Sequence, residues 1–265
     1  MLAPVLGLSA ALDPVIFSQR IGIEPDPWQA DLLRSTAPEI ILNCSRQSGK
    51  STTSATLAVH TALYQRDSLI LLLSPGLRQS GELFKKCTSV YRDAGRPVVS
   101  ESDTALTLTL TNGSRIVSLP GKDRTVRGFS GVRLLIIDEG AWVLDPLYYA
   151  VRPMLAVSGG RLILMSTPFG KRGFFHHEWT EGGPVWKRIQ VRAEDCPRIP
   201  PEFLAEERRT LPLWVYQQEY GCQFSETVDQ LFGYDLVMSA MSDDLEPWGA
   251  AELDLEDSDA CGVWS

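Results

Sequence analysis

Several things are scarce in this sequence, and each scarcity removes a class of protein. No apolar run approaches the roughly 20 residues that a membrane-crossing helix needs, so a helical membrane protein is excluded and no membrane partner is expected. The first residues, Met1 to Leu8, are apolar but carry no basic stretch, so no signal peptide is expected. The five cysteines (44, 87, 196, 222 and 261) form no C-x-x-C pair. Scattered in this way they read as reduced thiols of a cytosolic protein, without a disulfide framework or a zinc site. Positive charge is missing from one region altogether: residues 226–265 hold eleven Asp and Glu and no Lys or Arg. The formal net charge of −8 therefore belongs to that tail. Residues 1–225 carry 25 basic and 22 acidic side chains, a balance of +3. The main body is thus free to meet a nucleic acid, although no dense basic patch announces one.

What is present suffices for a core. The chain has 265 residues and a hydrophobic content of 44%, enough for one large α/β domain with an appendage. The organising stretch is Asn43-Cys44-Ser45-Arg46-Gln47-Ser48-Gly49-Lys50-Ser51-Thr52. It follows the apolar run Glu39-Ile40-Ile41-Leu42 and precedes an Ala/Leu/Val-rich helical segment. That is the strand–loop–helix setting of a phosphate-binding loop, whose backbone N–H groups and helix N-terminus cradle nucleotide phosphates. Lys50 would neutralise phosphate charge and the Ser51 hydroxyl would hold Mg²⁺. The loop departs from G-x-x-x-x-G-K-[ST], because Cys44 stands where the first Gly belongs and Arg46 lies inside it.

A second motif complements the first. Arg133-Leu134-Leu135-Ile136-Ile137-Asp138-Glu139 is a buried-strand pattern ending in two carboxylates, and strand carboxyl ends face the ligand crevice in an open α/β sheet. Asp138 suits Mg²⁺ through its water shell, and Glu139 suits the orientation of an attacking water. Residues 68–74 and 161–166 are further apolar runs of the parallel-strand type. Asp13 and Asp26 read as helix N-caps, the latter with Pro27 at the first helical position. Thr111-Asn112-Gly113-Ser114 between β-rich runs predicts a hairpin. Helices are expected over 51–65, 77–94 and 201–220, with a break at Pro212, and a strand over 184–191. Arg78, Lys85 and Lys86 on the 77–94 helix are candidates for DNA phosphates, with a solvated face as the plainer reading. Phe232 to Met238 is compatible with a short docking helix, and residues 250–265 with disorder.

Taken together these residues resemble the large subunit of tailed-phage and prophage terminases, over about residues 10–240. Pro27-Trp28-Gln29 resembles the family's adenine motif, and Ser45 to Ser51 its deviant phosphate loop, in which the inserted arginine is typical. Arg133 to Glu139 resembles its Walker B motif with catalytic carboxylate, Ser166-Thr167-Pro168 its coupling motif, and Gln217 to Tyr220 with Phe224 the end of its ATPase domain. The resemblance implies an α/β P-loop NTPase of the ASCE/RecA-like kind: a mainly parallel sheet flanked by helices, with a small C-terminal lid or linker. It implies ATP and Mg²⁺ as ligands, with Trp28, Gln29 and Ser45 to Thr52 around the nucleotide, Ser51 and Asp138 at the metal, and Ser166 and Thr167 coupling. Glu139, Arg46 and Arg127 are the implied catalytic groups, Arg127 reaching a neighbour's ATP, with Arg124 and Arg133 as rivals. The implied role is the packaging motor that drives double-stranded DNA into a procapsid in the bacterial host's cytoplasm. Its implied partners are the portal, the small terminase subunit and further copies in a ring, the isolated chain being a monomer. A helicase-like DNA-dependent ATPase, or a prophage remnant acting as a binding module, are the alternatives. Residues 1–225 are read as the ATPase domain, with 1–12 flexible, and 226–265 as an acidic tail. Family members usually continue into a metal-dependent nuclease. Asp254, Asp257 and Asp259 lie in the acidic tail without a strand pattern, so no nuclease is expected here.

Overall fold

The computed structural model describes residues 7–121 and 128–226. The described residues belong to the first of two compact units, 1–227 and 228–265. Phe232 to Met238, the aspartates at 254, 257 and 259, and both Arg124 and Arg127 lie outside the described residues.

A sheet of eight strands organises the described residues, in the order β3-β4-β5-β2-β6-β7-β1-β8. The strands are β1 (Glu39–Cys44), β2 (Leu69–Ser74), β3 (Ser100–Asp103), β4 (Thr107–Leu110), β5 (Arg115–Pro120), β6 (Val132–Asp138), β7 (Arg161–Ser166) and β8 (Trp186–Val191). From β5 to β8 every neighbouring pair is parallel, while β3 and β4 add an antiparallel edge. The phosphate-loop strand β1 and the acidic strand β6 are not neighbours. Strand β7 pairs with both, which opens a crevice at the carboxyl ends of all three. An α/β fold with a mainly parallel sheet is therefore the architecture, as the motif order implies.

Helices cover both faces, and this is why the central strands read as unbroken apolar runs. Ile40, Leu42 and Cys44 of β1 join one buried cluster, with α4 (Lys50–Tyr64), α5 (Leu77–Asp93) and the N-terminal helices α2 (Pro14–Arg20) and α3 (Pro27–Arg34). Ile41 joins the other, beneath α6 (Asp145–Val151) and α7 (Gly173–Thr180). Helices α8 (Pro201–Thr210) and α9 (Leu213–Glu219) follow the last strand. Asp13 caps α2 by accepting from the Val15 amide at 2.9 Å. Asp26 and Gln29 form a capping box on α3, with Pro27 at its first position.

Part of the stretch 1–12, expected to be flexible, has regular structure. Leu8–Leu12 form a short helix, α1. Ala10 is fully buried, and its carbonyl accepts from His60 Nε2 of α4 at 3.0 Å. The ordering comes from burial of a small apolar residue against α4, which the short stretch does not advertise.

Candidate nucleotide site

The phosphate loop is set by two backbone features. Gly49 precedes α4 in a left-handed conformation, φ +95°, which glycine adopts without steric cost. A Cβ there would also fall 2.5 Å from Gln29 Nε2, so the position tolerates no side chain on either count. The loop is then buttressed from two helices and a turn. Gln29 Nε2 donates to the Ser48 carbonyl at 3.4 Å, and Arg198 Nη2 donates to the same carbonyl at 2.9 Å. Arg198 in turn grips Asp26 with both ends of its guanidinium, at 2.8 and 2.7 Å. Gln29 Oε1 accepts from the Asp26 amide. Expected to face an adenine edge, Gln29 is buried and engaged at both ends of its amide. Trp28 is partly buried against the same core cluster as β1.

Four chemical groups converge at the crevice. Lys50, buried at the first turn of α4, holds its ammonium 3.4 Å from Glu139 Oε1. Glu139 sits just past β6 in a left-handed conformation, φ +50°. This is costly for a residue other than glycine and marks functional sites. Its amide donates to Asp138 Oδ1. Ser166, at the end of β7, donates to Glu139 Oε2 at 3.4 Å and accepts from the Ala141 amide at 3.3 Å. Thr167 follows, buried. Asp138 is buried, and its pKa is pushed up to about 6, first by burial and then by the Glu139 charge, with Lys50 opposing. A buried carboxylate beside a second one fits a divalent metal between them and the loop. Ser51 lies next to Lys50 at the start of α4, and its hydroxyl is an oxygen donor of the kind Mg²⁺ takes.

Arg46, expected near the γ-phosphate, is engaged by a distant helix. Its guanidinium is ion-paired with Glu219 at the end of α9, and its amide donates to the Glu219 carbonyl at 3.3 Å. Beside it opens a hollow of about 250 Å³, lined by Arg46, Gln47, Arg198, Ile199, Phe203 and Tyr220 among others. Neither Arg198 nor Glu219 is readable from the sequence as a loop-holding residue. They lie 150 and 173 positions from their partners, and no local pattern signals such contacts. Arg133 sits at the amino end of β6, with Nε donating to Gln65 at 2.8 Å. That is about 17 Å along the strand from Asp138, at the usual rise per residue.

The chain has relatives. It is 24% identical over 258 residues to the terminase large subunit of Thermus phage G20c, covering 84% of this chain and 53% of that protein. The chain thus spans about half the length of that curated relative. The large terminase ATPase domain of Thermus phage P74-26 superposes with a TM-score of 0.71 at 23% identity, covering 79% of this chain and 97% of that one. A large terminase from a thermophilic bacteriophage, solved in complex with ADP, superposes with a TM-score of 0.59 at 14% identity, covering 81% and 52%. A family model described as terminase large subunit, T4likevirus-type, N-terminal, matches residues 41–237. That span takes in the phosphate loop, the acidic strand and the Glu219 ion pair, and on it the chain belongs to the terminase large subunit family.

Proposed function

We propose that this chain is the ATPase of a viral DNA-packaging motor, hydrolysing ATP to move double-stranded DNA into a procapsid. The observation that carries the reading is the meeting of Lys50, at the start of α4, with Glu139, just past β6, at 3.4 Å. The ammonium is buried and the carboxylate half-buried, so each is held where the chemistry needs it. When triphosphate enters the loop, its charge outcompetes the carboxylate for the ammonium. Glu139 is then released to accept a hydrogen bond, and finally a proton, from the water that attacks the γ-phosphorus. The Ser166 contact holds that carboxylate in place. A Mg²⁺ ion held by Ser51 and Asp138 would neutralise charge on the β- and γ-oxygens. Backbone N–H groups of Gln47, Ser48 and Gly49, with Thr52 behind, receive the phosphates, while those of Ser45 and Arg46 hold the loop to the Val191 and Glu219 carbonyls. The hollow walled by Phe203 and Tyr220 would take the nucleoside end, with Gln29 supporting the loop beside it and Trp28 preceding it on α3. Arg46 must leave Glu219 to reach the γ-phosphate, which ties α9 to nucleotide state. Ser166 and Thr167 feel loss of the γ-phosphate through Glu139. On this reading the portal, the small terminase subunit and further copies in a ring are the partners, in the host cytoplasm. Among the described residues no helix is long and apolar enough to cross a membrane.

The test is the steady-state ATPase rate with and without linear duplex DNA and procapsids. A packaging motor is stimulated most by both together. Stimulation by single-stranded DNA alone favours a helicase-type ATPase, and no turnover under any condition favours a binding module. Two variants check the roles assigned. Lys50→Ala abolishes nucleotide binding, whereas Glu139→Ala binds ATP and Mg²⁺ yet hydrolyses it at least about a hundredfold more slowly, because ground-state contacts survive. Equal loss of ATP affinity in both variants overturns the assignment.

A further inference from the structure

The far end of the sheet from the nucleotide crevice carries a second polar construction that phosphate chemistry at the loop does not use. Arg133 is the second residue of β6 and Arg161 the first of β7, in adjacent strands paired through Leu134 and Arg161. The register between β2 and β6 slips by one residue here, so Leu69 and Ile70 face Val132 and Leu134, and Arg133 is the extra residue. Such bulges re-aim a side chain. The result is that Arg133 reaches Gln65 just past the end of α4, with Nε donating at 2.8 Å.

Arg161 is the unusual member. Its Nε donates to the Ala37 carbonyl at 3.2 Å, but Nη2 is sealed from solvent without an acceptor. A buried guanidinium nitrogen without a partner carries the desolvation cost of a charged group and calls for an explanation. Among the described residues neither arginine has a carboxylate within ion-pair distance. Burial, and after it the Arg133 charge, weaken the hold of Arg161 on its own proton, as expected of a cation awaiting an anion.

Two adjoining hollows of about 330 and 510 Å³ flank Arg161 and share Ser35, Thr36, Thr61 and Gln65 as lining. Volumes of this size are typical of small-ligand sites. Arg34 also lines the larger one, but it is spent on Asp13 at 2.6 Å. Burial pushes His60 toward its neutral form. Two uncompensated positive charges remain, in a chain whose net charge is −8. The Ser35 hydroxyl accepts from the Ala37 amide at 3.3 Å, which leaves its O–H to donate.

We infer that Arg133 and Arg161, with Ser35, Thr36 and Gln65, form a second phosphate-binding site at the amino ends of β6 and β7, separate from the nucleotide crevice. A phosphate dianion matches the two charges, and its oxygens match the forked donors of guanidinium better than a carboxylate does. The phosphate group belongs either to a small phosphorylated molecule or to a nucleic-acid backbone.

The test uses inorganic pyrophosphate, followed by titration calorimetry at low ionic strength, on the full chain carrying Lys50→Ala so that the phosphate loop is disabled. One equivalent binds. Arg161→Gln and Arg133→Gln, each in that background, weaken binding roughly tenfold or more, the scale of a lost charge-assisted hydrogen bond. Arg133 is exposed, so its variant remains a fair test if Arg161→Gln misfolds. Competition by a short blunt duplex, falling steeply with salt, assigns the phosphate to DNA, and indifference to the duplex assigns it to a small molecule. Absence of binding in the Lys50→Ala protein, affinity unchanged by both arginine variants, or tighter binding of citrate than of pyrophosphate overturns the site.

Discussion

Asp138 is strained by electrostatics alone. It is buried at the end of β6 beside a second carboxylate, and its pKa lies at about 6 against an ordinary 3.8. The sign of the consequence follows from linkage. The folded chain binds a proton here more tightly than the unfolded chain, so this group favours folding below pH 4. That contribution is lost as pH rises from about 4 through about 6. Above pH 6 the metal-free folded protein must hold a buried charge. Asp138→Asn is therefore expected to raise the thermal midpoint in the presence of a chelator at pH 8, by an amount on the order of 1–3 kcal/mol in stability. The gain shrinks toward zero near pH 4. The same change is expected to abolish stabilisation of the ATP complex by Mg²⁺. Thermal unfolding at pH 4, 6 and 8, with and without Mg²⁺ and nucleotide, checks both. A variant less stable than the parent at pH 8 without metal counts against the electrostatic reading.

At the scale of elements, the phosphate loop is held by parts of the chain that the sequence keeps far apart. Arg198, between β8 and α8, bridges Asp26 at the start of α3 and the Ser48 carbonyl. Removing either end frees the same contact, so Asp26→Ala and Arg198→Ala are expected to weaken ATP binding by similar factors, roughly threefold to thirtyfold. The double variant is expected to add little, giving a coupling near the size of one single effect, as residues in one network do. Strictly additive losses in nucleotide titrations of the three proteins exclude the bridge. Contacts of this kind mark the limit of what the residues alone disclose. The strands β1, β2, β6 and β7 were legible because both faces are covered and their runs are apolar without a break. The starts of α2 and α3 were legible because Asp13, Asp26 and Pro27 act locally. Strand β3 was not, because Ser100–Asp103 is polar and mostly exposed, and its pairing with β4 is a backbone matter. Helix α7 was not, because the Phe174 amide in its first turn donates to Asp145, 29 positions away. Of the groups that meet at the crevice, Lys50 was legible from the loop's place before α4, and Asp138, Glu139 and Ser166 from the carboxyl ends of β6 and β7. The Arg46–Glu219 pair and the engagement of Gln29 were not, because each depends on how distant segments meet.

The whole molecule raises the question of where a transition-state arginine comes from. A guanidinium on the γ-oxygens can be worth roughly 10³ or more in rate. Arg46 is at the loop but committed to Glu219. Arg133 is at the other end of its strand, engaged by Gln65, and so cannot serve its own chain's nucleotide without abandoning β6. On the family resemblance, and with Arg124 as a rival, we propose that Arg127 acts on a neighbouring copy, and the consequence is an activity that depends on assembly. Arg127→Ala chains are expected to bind ATP normally and to hydrolyse it slowly at every concentration. Glu139→Ala chains are expected to be slow too, but through loss of the water-orienting carboxylate. Mixed, the two are expected to recover part of the parental rate. An Arg127→Ala chain keeps its own Glu139 and borrows the arginine of a Glu139→Ala neighbour, and those pairings alone are competent. Recovery should follow the fraction of such pairings as the mixing ratio changes, passing through a maximum at intermediate ratios. ATPase assays across the ratio, with assembly followed in parallel by light scattering, decide the matter. Flat activity in mixtures that demonstrably co-assemble would return the catalytic burden to Arg46, and the Glu219 pair would then be the contact that hydrolysis must break.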